Sequence, residues 1–139
     1  MNLVFSTTGF QGFNSYNFTI NKENLKESFI IPDSKLSSVL VDLCFHLVQI
    51  NEIEPILQKI YNNLEVGGTL KINCLDIYEL SQKVHRREID EQSANNILYG
   101  FGQQNSLSTL FFISVCTKLG FKKKSVTFES ILAKMEFIK

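Results

Sequence analysis

Apolar positions follow two rhythms along this chain, and from residue 38 onward the rhythms alternate cleanly. Val39-Leu40-Val41-Asp42-Leu43-Cys44-Phe45 is a near-continuous apolar run of strand length, the pattern of a strand covered on both faces. Ile53, Ile56, Leu57, Ile60 and Leu64 then recur at helical spacing and make one apolar stripe. Asn51 with Glu54 forms a capping-box pattern at the start of that helix. Pro55 fits its first turn, where no N–H is needed. Gly67-Gly68 ends the helix and turns the chain. Residues 69–74 alternate, with Leu70, Ile72 and Cys74 on one face and Thr69, Lys71 and Asn73 on the other.

Asp76 and Glu79 make a second capping pair, opening a helix with Ile77, Leu80 and Val84 on its apolar face. Residues 85–92 are strongly polar and read as a solvated helical face or a frayed end. Residues 95–105 read as a loop around Tyr99-Gly100-Phe101-Gly102. Leu107, Leu110, Phe111, Val115 and Leu119 mark a further helix that Gly120 stops. Residues 121–128 and 131–138 predict two strands joined at Glu129-Ser130, a terminal antiparallel hairpin.

Before residue 38 the pattern is weaker. Residues 2–6 predict a short strand, and residues 7–17, rich in Gly, Ser, Thr, Asn and aromatics, an irregular loop with extended pieces. Residues 18–20 and 28–31 predict short strands around a polar stretch at 21–27, and Pro32-Asp33-Ser34 a turn. Strands linked by amphipathic helices imply a largely parallel sheet with right-handed crossovers. At 139 residues the chain fits one domain, 1–139.

Composition narrows the function classes. Hydrophobic residues make up 44% of the chain, including 12 Phe, enough for a core without a structural metal or disulfides. Charges balance at 14 against 14, so no overall field draws the chain to nucleic acid or anionic lipid. The run Lys122-Lys123-Lys124 reads as a charged edge strand or as a phosphate contact, and nucleic acid is not expected as a partner. No apolar stretch has membrane length, since Asp42, His46 and Gln49 interrupt residues 39–50. Residues 1–12 lack the basic start of a secretory signal. Cys44, Cys74 and Cys116 are odd in number, far apart and set among apolar neighbours, the usage of buried reduced thiols in a cytoplasmic protein. There is no Cys-x-x-Cys, no His/Cys pair at metal-ligand spacing, no Gly-x-Ser-x-Gly and no phosphate-binding Gly-x-x-x-x-Gly-Lys run.

Leu64-Glu65-Val66-Gly67-Gly68-Thr69-Leu70-Lys71-Ile72 resembles the "L-K-P-G-G" passage before the fifth strand of class I S-adenosylmethionine-dependent methyltransferases. Ile31-Pro32-Asp33-Ser34, Phe45-His46-Leu47-Val48-Gln49, Leu98-Tyr99-Gly100 and Lys118-Leu119-Gly120-Phe121 are similar to further passages of that family, in the same order. The resemblance covers residues 32–139. It implies an α/β, shortened Rossmann-like methyltransferase fold, its mostly parallel sheet ending in an antiparallel hairpin. In that family the cofactor lies against a glycine-rich turn after the first strand and an acid after the second. Here Thr8-Gly9-Phe10-Gln11-Gly12 places bulky Phe10 and Gln11 between its glycines, and Glu23 is the nearest acid after residues 18–20. Val48-Gln49 replaces the family's Glu-His, and the chain before Val39 is short for strand, helix, strand, helix, strand. Residues 1–36 thus read as an eroded cofactor side and 37–139 as the better-matching part.

Two residues stand out as candidate chemistry. Asp76 follows a central strand, where open α/β sheets bind ligands, though its other reading is an N-cap. His46 lies near the end of the preceding strand and faces the same crevice, unless it is a core residue; His85 reads as surface. The resemblance with these departures implies a module without cofactor that works by binding or assembly, as a homo-oligomer or a subunit of a complex. Phe5, Phe10, Phe13, Tyr16 and Phe18 cover a sheet face or form a docking patch, and Phe101 anchors a loop. The alternative is an active methyltransferase. It would hold S-adenosylmethionine through residues 6–12, Gly9 and Gly12 included, with Glu23 or Asp33 on ribose or adenine. His46, Asp76 and then Tyr99 would lie on its substrate side.

Overall fold

The computed structural model describes residues 1–6, 15–19, 31–33, 35–100 and 103–139. Six described strands form one sheet: β1 (Asn2–Ser6), β2 (Ser15–Thr19), β3 (Leu36–Asp42), β4 (Leu64–Leu75), β5 (Lys122–Glu129) and β6 (Leu132–Ile138). Their spatial order is β2-β1-β3-β4-β6-β5. β1 pairs in parallel with β2 and β3, and β3 with β4; β6 is antiparallel to both β4 and β5. Four described helices connect them: α1 (Ile50–Asn63), α2 (Ile77–His85), α3 (Glu91–Tyr99) and α4 (Thr109–Leu119). The expected mostly parallel α/β sheet with a closing antiparallel hairpin is the observed one.

Strand alternation and register build the core row by row. Leu3, Val39, Leu70 and Phe137 form one cross-strand row, and Phe5, Val41, Ile72 and Met135 the next, all buried. Ile53, Leu57 and Ile60 of α1 and Phe112 and Cys116 of α4 close over them. The opposite face differs. Its rows include Leu40, Lys71 and Glu136, then Asp42, Asn73 and Lys134, which are half-buried or exposed. Polar groups bond across it: Ser38 Oγ donates to Asn2 Oδ1 at 2.8 Å, and Asn73 Nδ2 to Asp42 Oδ1 at 2.8 Å. The run at 39–45 is therefore not covered equally on both faces, since Leu40 stays half-buried beside buried Val39 and Val41.

Several boundaries shift for identifiable reasons. β3 spans Leu36–Asp42 because Leu43 adopts φ +54°, its N–H bonding Asn73 O at 2.9 Å, and Phe45–Leu47 forms a one-turn 3₁₀ helix. α1 begins at Ile50 with Gln49 as an N-cap lacking a side-chain bond, so Asn51 is not the cap and Pro55 lies inside the helix. Gly67-Gly68 does not end that helix. α1 stops at Asn63, β4 starts at Leu64, and the glycines sit in a bulge where Leu36 pairs with Leu64 but Ser38 with Thr69. Gly67 takes φ +81°, while a Cβ on Gly68 would stand 2.9 Å from Glu65 O and 3.2 Å from Ser37 O. Lys139 ties this bulge to α1: its backbone pairs with Gly67 and Gly68, and its ammonium donates to Tyr61 O at 2.6 Å and Leu64 O at 2.8 Å. A cation there meets the negative end of the helix.

The segment read as a loop at 95–105 is largely α3, Glu91–Tyr99. Asp90 caps it, accepting from Ser93 N–H at 2.8 Å, and Ala94, Ile97 and Leu98 supply the helical spacing hidden by polar neighbours. Gly120 ends α4 at φ +105°, and Ser130 turns the closing hairpin at φ +57°, both as expected. β5 is the outer strand of the described sheet, with Lys122, Lys123 and Lys124 exposed and a register shift beside Lys124. Lys124 pairs with Glu136 at 2.9 Å, the charged edge among the two readings. β2 starts at Ser15, earlier than expected, and Ile31 is irregular. Residues 7–14, 20–30, 34 and 101–102 lie outside the described residues, and with them Phe10, Phe13, Phe101, Ser34 of the expected turn and most of the expected strand at 28–31. Phe5 is fully buried. Among the described residues no helix is long and apolar enough to cross a membrane.

Cys44, Cys74 and Cys116 are free and buried. Burial pushes each thiol from 9.0 up to about 12, with nearby Asp42 adding for Cys44 and Asp76 for Cys74. The folded chain keeps these protons where the unfolded chain loses them, so the unfolded state gains stability as pH rises from 9 towards 12. Urea unfolding under reducing conditions is expected to show stability intact below pH 9. Above it the loss is about 1.4 kcal/mol per thiol per pH unit. Cys116→Ala should flatten that fall; an unchanged slope would contradict the assignment.

Candidate functional site

β4 ends at Leu75, and the next residue, Asp76, turns the chain into α2 at the C-terminal edge of the parallel strands. Asp76 is 2% exposed, and its carboxylate takes three backbone N–H groups. Oδ1 accepts from Tyr78 at 2.9 Å and Glu79 at 3.0 Å, the N-cap bonds the sequence indicates. Oδ2 accepts from Thr109 N–H at 2.7 Å, at the first residue of α4. Ser108, the N-cap of α4, makes no side-chain cap bond of its own. One carboxylate therefore caps two helices, sitting at the positive end of both dipoles. The Asp76 backbone is held too, its N–H donating to Ile131 O at 2.9 Å, in the turn of the closing hairpin.

His46 and Asp76 line the same crevice, as their positions predict, together with Cys74, Leu80, Asn105 and Phe112. His46 sits half-buried on the 3₁₀ turn after β3, and its carbonyl accepts from Gln104 N–H at 2.8 Å. The crevice encloses about 20 Å³, room for one water. Both oxygens of Asp76 accept from backbone donors, the arrangement of its N-cap reading. Tyr99 lies on α3, 71% exposed and away from this lining, and Asp33 is exposed in a bend.

The topological switch point falls between β1 and β3, where the chain leaves one strand leftward and the other rightward. Ser6 and Asp42 pair there; Ser6 is buried and Asp42 holds Asn73. Gly9, Gly12 and Glu23 lie outside the described residues. Among the described residues no three His, Cys, Asp or Glu side chains come together as a metal would need. Sequence reasoning missed Asn105, which roofs the crevice; its place in a Gln-Gln-Asn stretch between helices carries no periodic signal. It also missed the Asp42–Asn73 pair, although both stand at the polar ends of adjacent strands.

Neither a protein-family model nor a curated protein matches the sequence. Solved structures match the fold. An S-adenosylmethionine-dependent methyltransferase from Mesorhizobium loti superposes with TM-score 0.68 over 99% of this chain and 90% of that one, at 8% identity. An O-methyltransferase family 2 protein from Planctomyces limnophilus gives 0.65 at 9% identity, with 99% of this chain covering 49% of it. An O-methyltransferase family protein from Burkholderia thailandensis gives 0.61 at 14% identity, and the chain spans 36% of its length. These likenesses establish a class I methyltransferase-like fold, in the shortened Rossmann-like form the sequence resemblance implies.

Removing the shared carboxylate leaves three backbone donors without their acceptor. Asp76→Ala is expected to cost about 3 kcal/mol in urea unfolding, and Asp76→Asn, which keeps one oxygen acceptor, less. An Asp76→Ala chain as stable as the parent would show that the double cap contributes nothing.

Proposed function

We propose that this chain is a methyltransferase-fold module that does not hold S-adenosylmethionine and acts by binding or assembly. In this reading residues 1–139 are one domain, with 1–36 the reduced cofactor side and 37–139 the retained scaffold. The observation that carries it is the link between β1 and β2. These strands pair in parallel with eight residues, 7–14, between them. A crossover that includes a helix takes at least about 10–12 residues. In a Rossmann-like site the anionic end of the cofactor rests on the glycine-rich turn and the helix N-terminus after the first strand. Gly9 and Gly12 fall within a link too short for both parts, so the chain does not fit the cofactor. The commitment of Asp76 to two helix caps supports the same reading.

Such a module works through contacts, in a homo-oligomer or as a subunit of a larger complex, and in the cytoplasm, where its three thiols stay reduced. A second reading, an active methyltransferase, draws on the Mesorhizobium loti enzyme, which this chain covers over 90% of its length. It assigns the cofactor to residues 6–12, with Glu23 or Asp33 on ribose or adenine, and the substrate side to His46 and Asp76 and then Tyr99.

Calorimetric titration with S-adenosylmethionine and S-adenosylhomocysteine separates the two. No binding heat is expected from the folded chain. Micromolar affinity, about −8 kcal/mol, would overturn the proposal, and Gly9→Val should then weaken binding sharply. Sedimentation across concentrations is expected to show self-association or, with cell extract, a defined complex; a monomer without partners would contradict the assembly role.

A further inference from the structure

β5 closes one side of the described sheet, and among the described residues nothing pairs with its outer edge. Such an edge offers a row of backbone donors and acceptors to another strand. Its register with β6 sorts the side chains. Val126 lies opposite buried Met135 and Phe128 opposite buried Ala133, so both point to the α4 side of the sheet. Thr127 and Glu129, opposite Lys134 and Leu132, point to the polar side. Lys124 is passed over in the ladder, because Lys123 pairs with Phe137 and Ser125 with Glu136. This bulge shifts the alternation by one residue. Lys122 and Ser125 therefore share the polar side with Thr127 and Glu129, and Lys123 shares the α4 side with Val126 and Phe128.

Apolar surface stays open along this margin in both layers. Phe128 is 49% exposed and Val126 half-buried. α4 packs over β5 and β6 and is apolar around most of its circumference. Phe111, Val115 and Lys118 share the flank turned to α1, where Lys118 bridges Glu54 at 2.6 Å. Leu110 and Ile113 lie on the other flank, towards the β5 margin, and Leu110 is 62% exposed.

We propose that this edge is a two-fold interface with a second copy of the chain, β5 pairing antiparallel with its counterpart about Val126. The proposal rests on the assembly reading above and names its partner. In a two-fold contact residue i meets j and j meets i, and in this register the edge is complementary to itself. With Lys124 passed over, Glu129 falls opposite Lys122 of the second copy and Thr127 opposite Ser125, both on the polar side. On the α4 side Phe128 falls opposite Lys123, and Val126 opposite its own counterpart. Opposite charges, paired hydroxyls and a ring against an aliphatic stem are favourable cross-strand neighbours. Both α4 helices then stand on one face of a continuous sheet, with their Leu110 and Ile113 flanks towards each other. The charges are free to take these places. Lys124 is held by Glu136 at 2.9 Å, Lys122 makes no ion pair among the described residues, and Glu129 stays exposed in its bridge to Lys134. Lysines at one end of the edge repel strands in general and admit one whose acid lies at the matching place.

Sedimentation equilibrium of the intact chain tests this. The parent is expected to dimerise. Lys122→Glu sets acid against acid twice in each dimer, and Glu129→Lys sets base against base. Each should weaken the dimer by about tenfold or more. An equimolar mixture of the two variants should recover the parent affinity, because both contacts of the mixed pair are again Glu against Lys. The double variant should recover it too. Both sites are exposed, so urea unfolding of each variant should match the parent. Were one to unfold, Val126→Lys, which sets two cations at the centre of the pairing, decides by the same loss of the dimer. A parent that stays monomeric across concentrations would overturn the interface, even where cell extract supplies a complex. A dimer indifferent to both reversals, or a mixture no tighter than its parts, would also overturn it, while leaving the assembly reading in place.

Discussion

A buried carboxylate is tolerable only where its charge is met, and Asp76, a residue 2% exposed, meets that condition with three backbone N–H groups from two helices. The rest of the C-terminal architecture depends on this point. It sets where β4 stops, aims α2, and supplies the cap that Ser108 does not give α4. Its backbone reaches the turn of the β5–β6 hairpin through Ile131. β4, α2, α4 and the closing hairpin thus meet at this one residue. At the position where open α/β sheets commonly bind ligands, this chain places the double cap.

The sheet carries a second constraint. Its buried rows run without a break from Leu3 to Phe137 under α1 and α4, but the opposite face of β4 and β6 is polar. Lys71, Asn73, Lys134 and Glu136 on that face are at home in water, and Asp42 with Asn73 bonds across it. A parallel sheet in this fold class ordinarily has both faces covered. The described part of this chain follows that rule at β1, where Leu3 to Ser6 are all buried, and departs from it at β4 and β6. This sidedness and the eight-residue link between β1 and β2 belong to the same shortened architecture.

Elements with a strong period were legible in the chain. The α1 stripe, the alternation of β4, the Asp76 cap, the Gly120 stop and the closing hairpin all follow from residue spacing. What escaped were features set by tertiary contact. Gly67-Gly68 looks like a helix stop, yet Lys139 draws it into a strand bulge. Leu43 breaks β3 at a positive φ that no leucine announces. α3 was hidden because Ala94, Ile97 and Leu98 form a thin stripe among polar residues. At the site, sequence reasoning brought His46 and Asp76 together correctly, but the third donor to Asp76 comes from Thr109, far along the chain. Asn105 acts through two carbonyls of another element, a role that no local pattern encodes.

The central claim is that Asp76 is spent on joining α2 to α4, and a double-mutant cycle with Thr109 tests it most directly. Thr109→Pro removes the N–H that Oδ2 accepts, together with the buried Thr side chain, at the first helical position, where proline is well tolerated. Ser108 already has the extended backbone that precedes a proline, φ −120° and ψ 167°. Combined with Asp76→Ala, the stability losses should fall short of additivity by about 1.5–3 kcal/mol, the worth of a charged hydrogen bond. Additive losses would mean that the two helices are not coupled through this carboxylate.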